Sequence, residues 1–399
     1  AMKLINSTLL VVILVIVVNI VHGQNKKKND ESKVSHSLAQ FSFDFFKALV
    51  NSNFKGTTPS NLVFSPSNVF RVLLLLNFGC QGNSRSELTK ALHVTDAEDV
   101  LIKMYKDMKA KKEAGLLEAD RIYYSKNIKI KRNIQTLMGE DLVGAALQDQ
   151  TIVKKVNTWV SASTQGNIKQ YIQSPFPKDV KMVLLSAIFM RANWETPFDQ
   201  KKTKKEIFHV AESMTKMVDM MYLQGELQYL MSETLNCEVV SLKYNKSPLV
   251  FLVFLPERNS QQTVKNLAST LTPKSLQIIL KSLVPTNLEL YLPKLQVQNQ
   301  VDLIPLLKTL GVNDVFSSEA ANLTGFTDDR FLYVGEASQT VVMNVDETGT
   351  TAAAVSAIKA MTRSRKTQMK VDRPFLFMIY DTSSQSPVFM GAMMDPSMK

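Results

Sequence analysis

The stretch between residues 341 and 380 constrains this chain more than any other. Val341-Val342-Met343-Asn344-Val345 reads as a β-strand, and Phe375 to Tyr380 reads as a second, apolar one. Between them lies an insert of about 25 residues, longer than the connections of compact domains and typical of functional loops or disordered linkers. Its composition is not that of a linker. The first half, Gly349-Thr350-Thr351-Ala352-Ala353-Ala354-Val355, holds small and β-branched residues rather than Gly, Ser and Pro. Such side chains can enter a sheet without steric conflict, and an alanine-rich run can equally begin as a helix. The second half, Met361-Thr362-Arg363-Ser364-Arg365-Lys366, offers basic residues after which a trypsin-type protease cuts. A loop that can be cut, preceded by a segment that can become a strand, describes a spring trap.

The remainder of the chain reads as one α+β unit. Lys3, an apolar run from Leu9 to Val18 and the small residue Gly23 predict a secretory signal peptide over residues 1–23. A flexible basic arm is expected over 24–36, and a single domain over 37–399. Leu38, Phe41, Phe45, Phe46 and Leu49 recur at helical spacing, and Ser65-Pro66-Ser67 marks the start of a nearly all-apolar helix through Phe78. Glu98 to Lys112 and Val301 to Leu310 are further helices, the last ended by Gly311. Arg121–Tyr124, Met182–Met190, Val250–Leu255 and Leu288–Leu292 read as strands. Met182–Met190 is so continuously apolar that both of its faces should be covered. With 45% apolar residues, a chain of this length needs no disulfide framework. Whether Cys80 and Cys237 pair is left open.

Enzyme chemistry finds no support. His36, His93 and His209 lie outside the predicted signal and have no partners at ligand spacing. There is no H-E-x-x-H, G-x-S-x-G, phosphate-binding glycine loop or C-x-x-C. The expectation is therefore no catalytic residue, no metal and no cofactor, in a monomer that binds neither nucleic acid nor membrane.

Ordered blocks along the chain resemble the serpins. They include Asn61-Leu62-Val63-Phe64-Ser65-Pro66, Val156-Asn157-Thr158-Trp159-Val160, Leu184 to Trp194 with Phe198, and Leu292-Pro293-Lys294-Leu295. Arg373-Pro374-Phe375-Leu376-Phe377, Phe389-Met390-Gly391 and Asp395-Pro396 complete the series. The resemblance implies three β-sheets, eight or nine helices and an exposed reactive-centre loop at about 347–371. It also implies a mechanism. A serine protease cuts the loop and forms an acyl-enzyme, and the loop then inserts as an extra strand and distorts the protease before deacylation. Glu347, Gly349, Thr350, Thr351, Ala352, Ala353, Ala354 and Val355 match the hinge of inhibitory members. Counting Gly349 as the first residue, the fifteenth is Arg363, so the bond Arg363–Ser364 is the expected bait for a trypsin-like protease. The alternative is a non-inhibitory member acting as carrier, chaperone or storage protein.

Two departures stand out. The family usually has asparagine where Ser186 stands and histidine where Gly335 stands; here both are missing. Some family members are accelerated by heparin-like glycosaminoglycans bound along one helix. The matching helix carries Lys103, Lys106, Lys109, Lys111 and Lys112, followed by Lys129, Lys131 and Arg132, in a chain of net charge +11. Asn322-Leu323-Thr324 and Asn245-Lys246-Ser247 are candidate N-glycosylation sites, the second weakened by Pro248. Secretion into a plasma- or haemolymph-like fluid, where proteolytic cascades of innate immunity or clotting operate, would suit these features.

Overall fold

The computed structural model describes residues 33–54, 60–111, 115–257, 260–349 and 367–398. Helix α1 spans 33–53 and turns Leu38, Phe41, Phe45, Phe46 and Leu49 into the core. The helix reaches back to residue 33, so residues 33–36 of the expected arm are helical, with Val34 packed against the core. The chain continues through β1 (Leu62–Phe64), α2 (Pro66–Asn77), α3 (Gly82–Ala91), α4 (Glu98–Ala110), β2 (Leu116–Ser125), α5 (Arg132–Met138) and β3 (Leu142–Ala145). Next come α6 (Thr151–Ser163), β4 (Met182–Met190), β5 (Lys204–Ala211), β6 (Met214–Ser232), β7 (Cys237–Lys243) and β8 (Leu249–Pro256). The last third holds α7 (Gln261–Thr270), α8 (Pro273–Ser282), β9 (Val284–Pro293), β10 (Leu295–Asp302), α9 (Leu303–Thr309), β11 (Glu336–Val345), β12 (Thr367–Lys370), β13 (Phe375–Asp381) and β14 (Ser386–Met393).

Three strand sets result. The central sheet has five strands in the order β10-β11-β4-β2-β3. The other nine strands form one hydrogen-bonded network, which divides at β6. This 19-residue strand pairs at Met214–Met220 with β5 and at Gln228–Ser232 with β7. One set is thus β5-β6-β9-β12, and the other runs from β6 and β7 through β8, β13 and β14 to β1.

All nine residues of β4 are buried, because helices cover both faces of its first part and Ile188 and Met190 pack against the other strand sets. Val183, Leu185 and Ala187 pack against Ile152, Val156 and Val160 of α6. Met182 and Leu184 face the opposite core, with Val69, Val72 and Leu73 of α2. Alternating side chains therefore both meet apolar partners, which is why the sequence shows a run and no alternation.

One helix boundary differs from the sequence expectation. Val301 and Asp302 finish β10, opposite Gln339 and Ser338. The Asp302 carboxylate accepts from Ile304 N at 3.0 Å and so opens α9 two residues later than the apolar spacing suggests. Gly311, at φ +86°, closes that helix as expected. Cys80 and Cys237 are free and buried. Among the described residues no helix is long and apolar enough to cross a membrane.

Candidate functional site

The site is built at the end of β11, where the chain enters the long insert. β11 runs parallel to β4, with Glu336–Met343 opposite Val183–Met190 over eight residue pairs. At its end the chain is fixed by named contacts. Trp194 Nε1 donates to Asp346 O at 2.9 Å, Phe198 N to Glu347 O at 2.8 Å and Trp194 N to Thr348 O at 3.2 Å. Trp194 is itself held by stacking on Tyr244, with ring centroids 4.5 Å apart, and by the edges of Phe198 and Phe251. The Asp346 carboxylate accepts from the backbone N and hydroxyl of Thr348 at 2.9 and 2.8 Å, turning the chain. Gly349 follows at φ +93°, and a Cβ there would lie 2.4 Å from Ala192 O and 2.6 Å from Trp194 N. Both backbone and space demand glycine.

The Glu347 side chain anchors this root. It is 4% exposed, receives Lys294 Nζ at 2.8 Å and accepts from Thr203 Oγ1 at 2.6 Å. Burial pushes its carboxyl up, but the hydrogen bonds from Lys294 and Thr203 outweigh burial and hold it below its ordinary value of 4.5. A depressed carboxylate stabilises the fold fully above its unfolded pKa, and that stability is lost as pH falls through the lower folded value. Acidification below about pH 4.5 should therefore cost the natural chain stability that Glu347→Gln never had. Melting temperatures of the two from pH 7 to pH 3 should converge; a constant difference would contradict this anchoring.

Polar groups clamp the β4–β11 seam from both faces. On the α2 side, Gln339 Nε2 donates to Ser65 O at 3.0 Å and to Ser186 Oγ at 3.3 Å, and Ser65 N donates to Gln339 Oε1 at 2.8 Å. Ser186 Oγ in turn donates to Asp120 Oδ1 at 2.7 Å. Asp120 takes Arg71 Nε at 2.8 Å and is also paired with Arg71 Nη2, while Arg71 Nη1 reaches Glu118 at 3.1 Å. Burial alone would lower the Arg71 pKa; Asp120 and Glu118 reverse that and hold the guanidinium protonated. On the α6 side, the Tyr171 hydroxyl lies 2.7 Å from Ser338 O and 3.0 Å from Ser186 O, and accepts from Ser186 N at 3.2 Å. One oxygen thus bridges both strands of the seam.

The register shows what faces Ser186 across the seam. Gln339, and not Gly335, stands opposite Ser186. Gly335 lies at the strand end, where its N bonds Met182 O and a Cβ would meet Val180. A polar pair, Ser186 and Gln339, therefore bridges the seam at a position that the sequence reading did not single out. Arg71, Asp120 and Tyr171 were not singled out from sequence. A lone arginine within the apolar run of α2 was the available signal.

The other sequence-derived residues divide as follows. Glu347 and Gly349 occupy the root just described. Thr350, Thr351, Ala352, Ala353, Ala354, Val355, Arg363, Ser364 and Lys112 lie outside the described residues. Of the lysine stripe, Lys103 pairs with Asp107 at 2.8 Å, Lys109 with Asp141, Lys111 with Asp381, and Lys131 with Asp328 at 2.9 Å. Lys106, Lys129 and Arg132 are exposed. Asn245 is exposed on a turn, whereas Asn322 is half-buried and its Oδ1 accepts from Thr324 N and Oγ1 at 3.3 and 2.7 Å. The described residues contain no group of three or more His, Cys, Asp or Glu placed to hold a metal.

A five-stranded sheet with a parallel seam at its centre, continuous with a long loop, defines the serpin class of fold. The comparisons agree. The family model for "Serpin (serine protease inhibitor)" matches residues 36–396, and the chain belongs to that family. It is 29% identical over 380 residues to serine proteinase inhibitor A3K of Cavia porcellus, covering 92% of this chain and 90% of that one. It is 28% identical over 380 residues to a serine protease inhibitor of Cyanea capillata, covering 90% and 97%. Alpha-1-antiproteinase of Rattus norvegicus is similar at 28% over 379 residues, covering 92% and 90%. Among solved structures, human thyroxine-binding globulin superposes with a TM-score of 0.82 at 24% identity, covering 92% and 99%. Mouse protein-Z dependent protease inhibitor superposes with 0.81 at 22%, covering 92% and 98%.

Proposed function

We propose that this protein is a secreted suicide-substrate inhibitor of trypsin-like serine proteases, cleaved at Arg363–Ser364. The observation that carries the reading is the parallel β4–β11 seam, which runs directly into the loop. Parallel pairing is slightly weaker per residue than antiparallel. A strand that leaves β11, turns at the hinge and doubles back between β11 and β4 would be antiparallel to both. Fourteen steps separate Gly349 from Arg363, more than the nine residues of β4. The far side is anchored independently, because β12 pairs with β9 from Thr367. Cleavage would therefore free the hinge side alone.

Insertion must part β4 from β11, and the Tyr171 hydroxyl opposes that parting. Tyr171→Phe removes one oxygen and little packing. A synthetic peptide of residues 350–362 should anneal into this variant several-fold faster than into the natural chain, since each lost hydrogen bond is worth about 1 kcal/mol net. Equal annealing rates would remove Tyr171 from the account.

The direct test of the function mixes the protein with trypsin and resolves the products by denaturing electrophoresis. A heat-stable adduct, with release of a fragment beginning at Ser364, is expected. Clean cleavage without an adduct would favour the carrier, chaperone or storage alternative.

A further inference from the structure

The lysines that the sequence groups on α4 are largely neutralised by carboxylates, but a second group is not. Lys201, Lys202 and Lys204 fall within four residues at the start of β5, and all three are exposed. None has a salt-bridge partner among the described residues; Lys202 Nζ caps the Tyr222 ring at 4.9 Å. Lys243 and Lys246 are exposed on a strand end and turn, tied to residues 193 and 195, a few positions before the lysines, through Glu195 N→Lys243 O at 2.8 Å and Asn245 N→Asn193 O at 2.7 Å. Nearby carboxylates are few. Asp219 is taken by Lys205 and Glu206 by Lys370. Asp199, which accepts from Lys201 N, and Glu195 are the exposed acids left beside the lysines.

We propose that Lys201, Lys202 and Lys204, flanked by Lys243 and Lys246, form the principal docking strip for a sulfated polysaccharide, in place of the α4 stripe. Ammonium groups on flexible stems read charge and not shape, which suits a linear polyanion better than a folded partner. An excess of unpaired positive charge raises the local concentration of such a chain and its association rate. The strip adjoins the loop root: Thr203, between Lys202 and Lys204, bonds the buried Glu347 carboxylate at 2.6 Å. On the inhibitor reading, which this last point alone requires, a bound glycan would grip the segment that seats the hinge.

The test is equilibrium binding of a defined heparin octasaccharide to the full chain across a range of salt. K201A/K202A/K204A should weaken binding about 10- to 100-fold and flatten the salt dependence by up to about three released counterions. K103A/K106A/K109A should change affinity less than about twofold. K201R/K202R/K204R should bind like the natural chain, and because Lys201, Lys202 and Lys204 are exposed the melting temperature should not move in either variant of this strip. Loss of binding confined to the α4 triple would overturn the proposal, as would equal binding by all variants. Unchanged octasaccharide affinity with slower capture of trypsin would also overturn it, assigning the strip to an acidic protease surface. These are binding readouts, so they stand or fall apart from inhibition.

Discussion

Arg363→Ala is expected to slow covalent capture of trypsin by about 30-fold to several thousand-fold, with the rest of the protein unchanged. The specificity pocket of a trypsin-like protease ends in a carboxylate, and the guanidinium would meet it as a bidentate, charge-assisted pair in a desolvated site. Removing one partner of such a pair costs about 2–5 kcal/mol, and each 1.36 kcal/mol is a factor of ten in rate. Arg365 and Lys366 are the competing basic residues. Arg365→Ala should leave the adduct rate within about twofold if Arg363 is the bait, because a side chain outside the pocket loses little on truncation. Stopped-time adduct formation on denaturing gels measures both, and retained capture by Arg363→Ala would move the bait to a neighbour.

Arg71→Ala is expected to destabilise the native fold by about 3–5 kcal/mol, the usual cost of leaving a buried charge without its partner. Arg71 is 8% exposed, and it satisfies Asp120 through two nitrogens and Glu118 through a third. Truncation would leave Asp120 bound only by Asn68 and Ser186 in a site where little of its side chain meets solvent. The same cluster touches the seam, since Ser186 Oγ links Asp120 to Gln339. The loss should therefore also loosen β4 from β11. Arg71→Met combined with Asp120→Asn removes both charges and should cost less than Arg71→Ala alone. Denaturant unfolding reads the order directly; additive losses would mean that the ion pair does not act as a unit.

Much of this molecule was legible in its sequence, and the illegible parts share a cause. Strands such as Met182–Met190 and Phe375–Tyr380 announce themselves because burial on both faces leaves only apolar residues. The hinge glycine is legible because positive φ and close backbone approach admit nothing else. Charge partners are another matter. Lys103 finds Asp107 one helical turn on, which spacing reveals, but Lys109 and Lys111 find Asp141 and Asp381, which only the fold brings near. The Arg71–Asp120 pair is hidden in the same way, 49 residues apart. The Ser186–Gln339 pairing is hidden too, 153 residues apart, and only the β4–β11 register brings the two side chains together.

The central claim is that the cut loop becomes a strand between β4 and β11. Thermal melting of the chain before and after cleavage at Arg363–Ser364 tests it most directly. Eight or so new ladder pairs at about 1 kcal/mol each predict a melting temperature at least about 10 °C higher for the cleaved chain. A cleaved chain that melts at the same temperature as the intact one, or lower, would contradict insertion and with it the trapping mechanism.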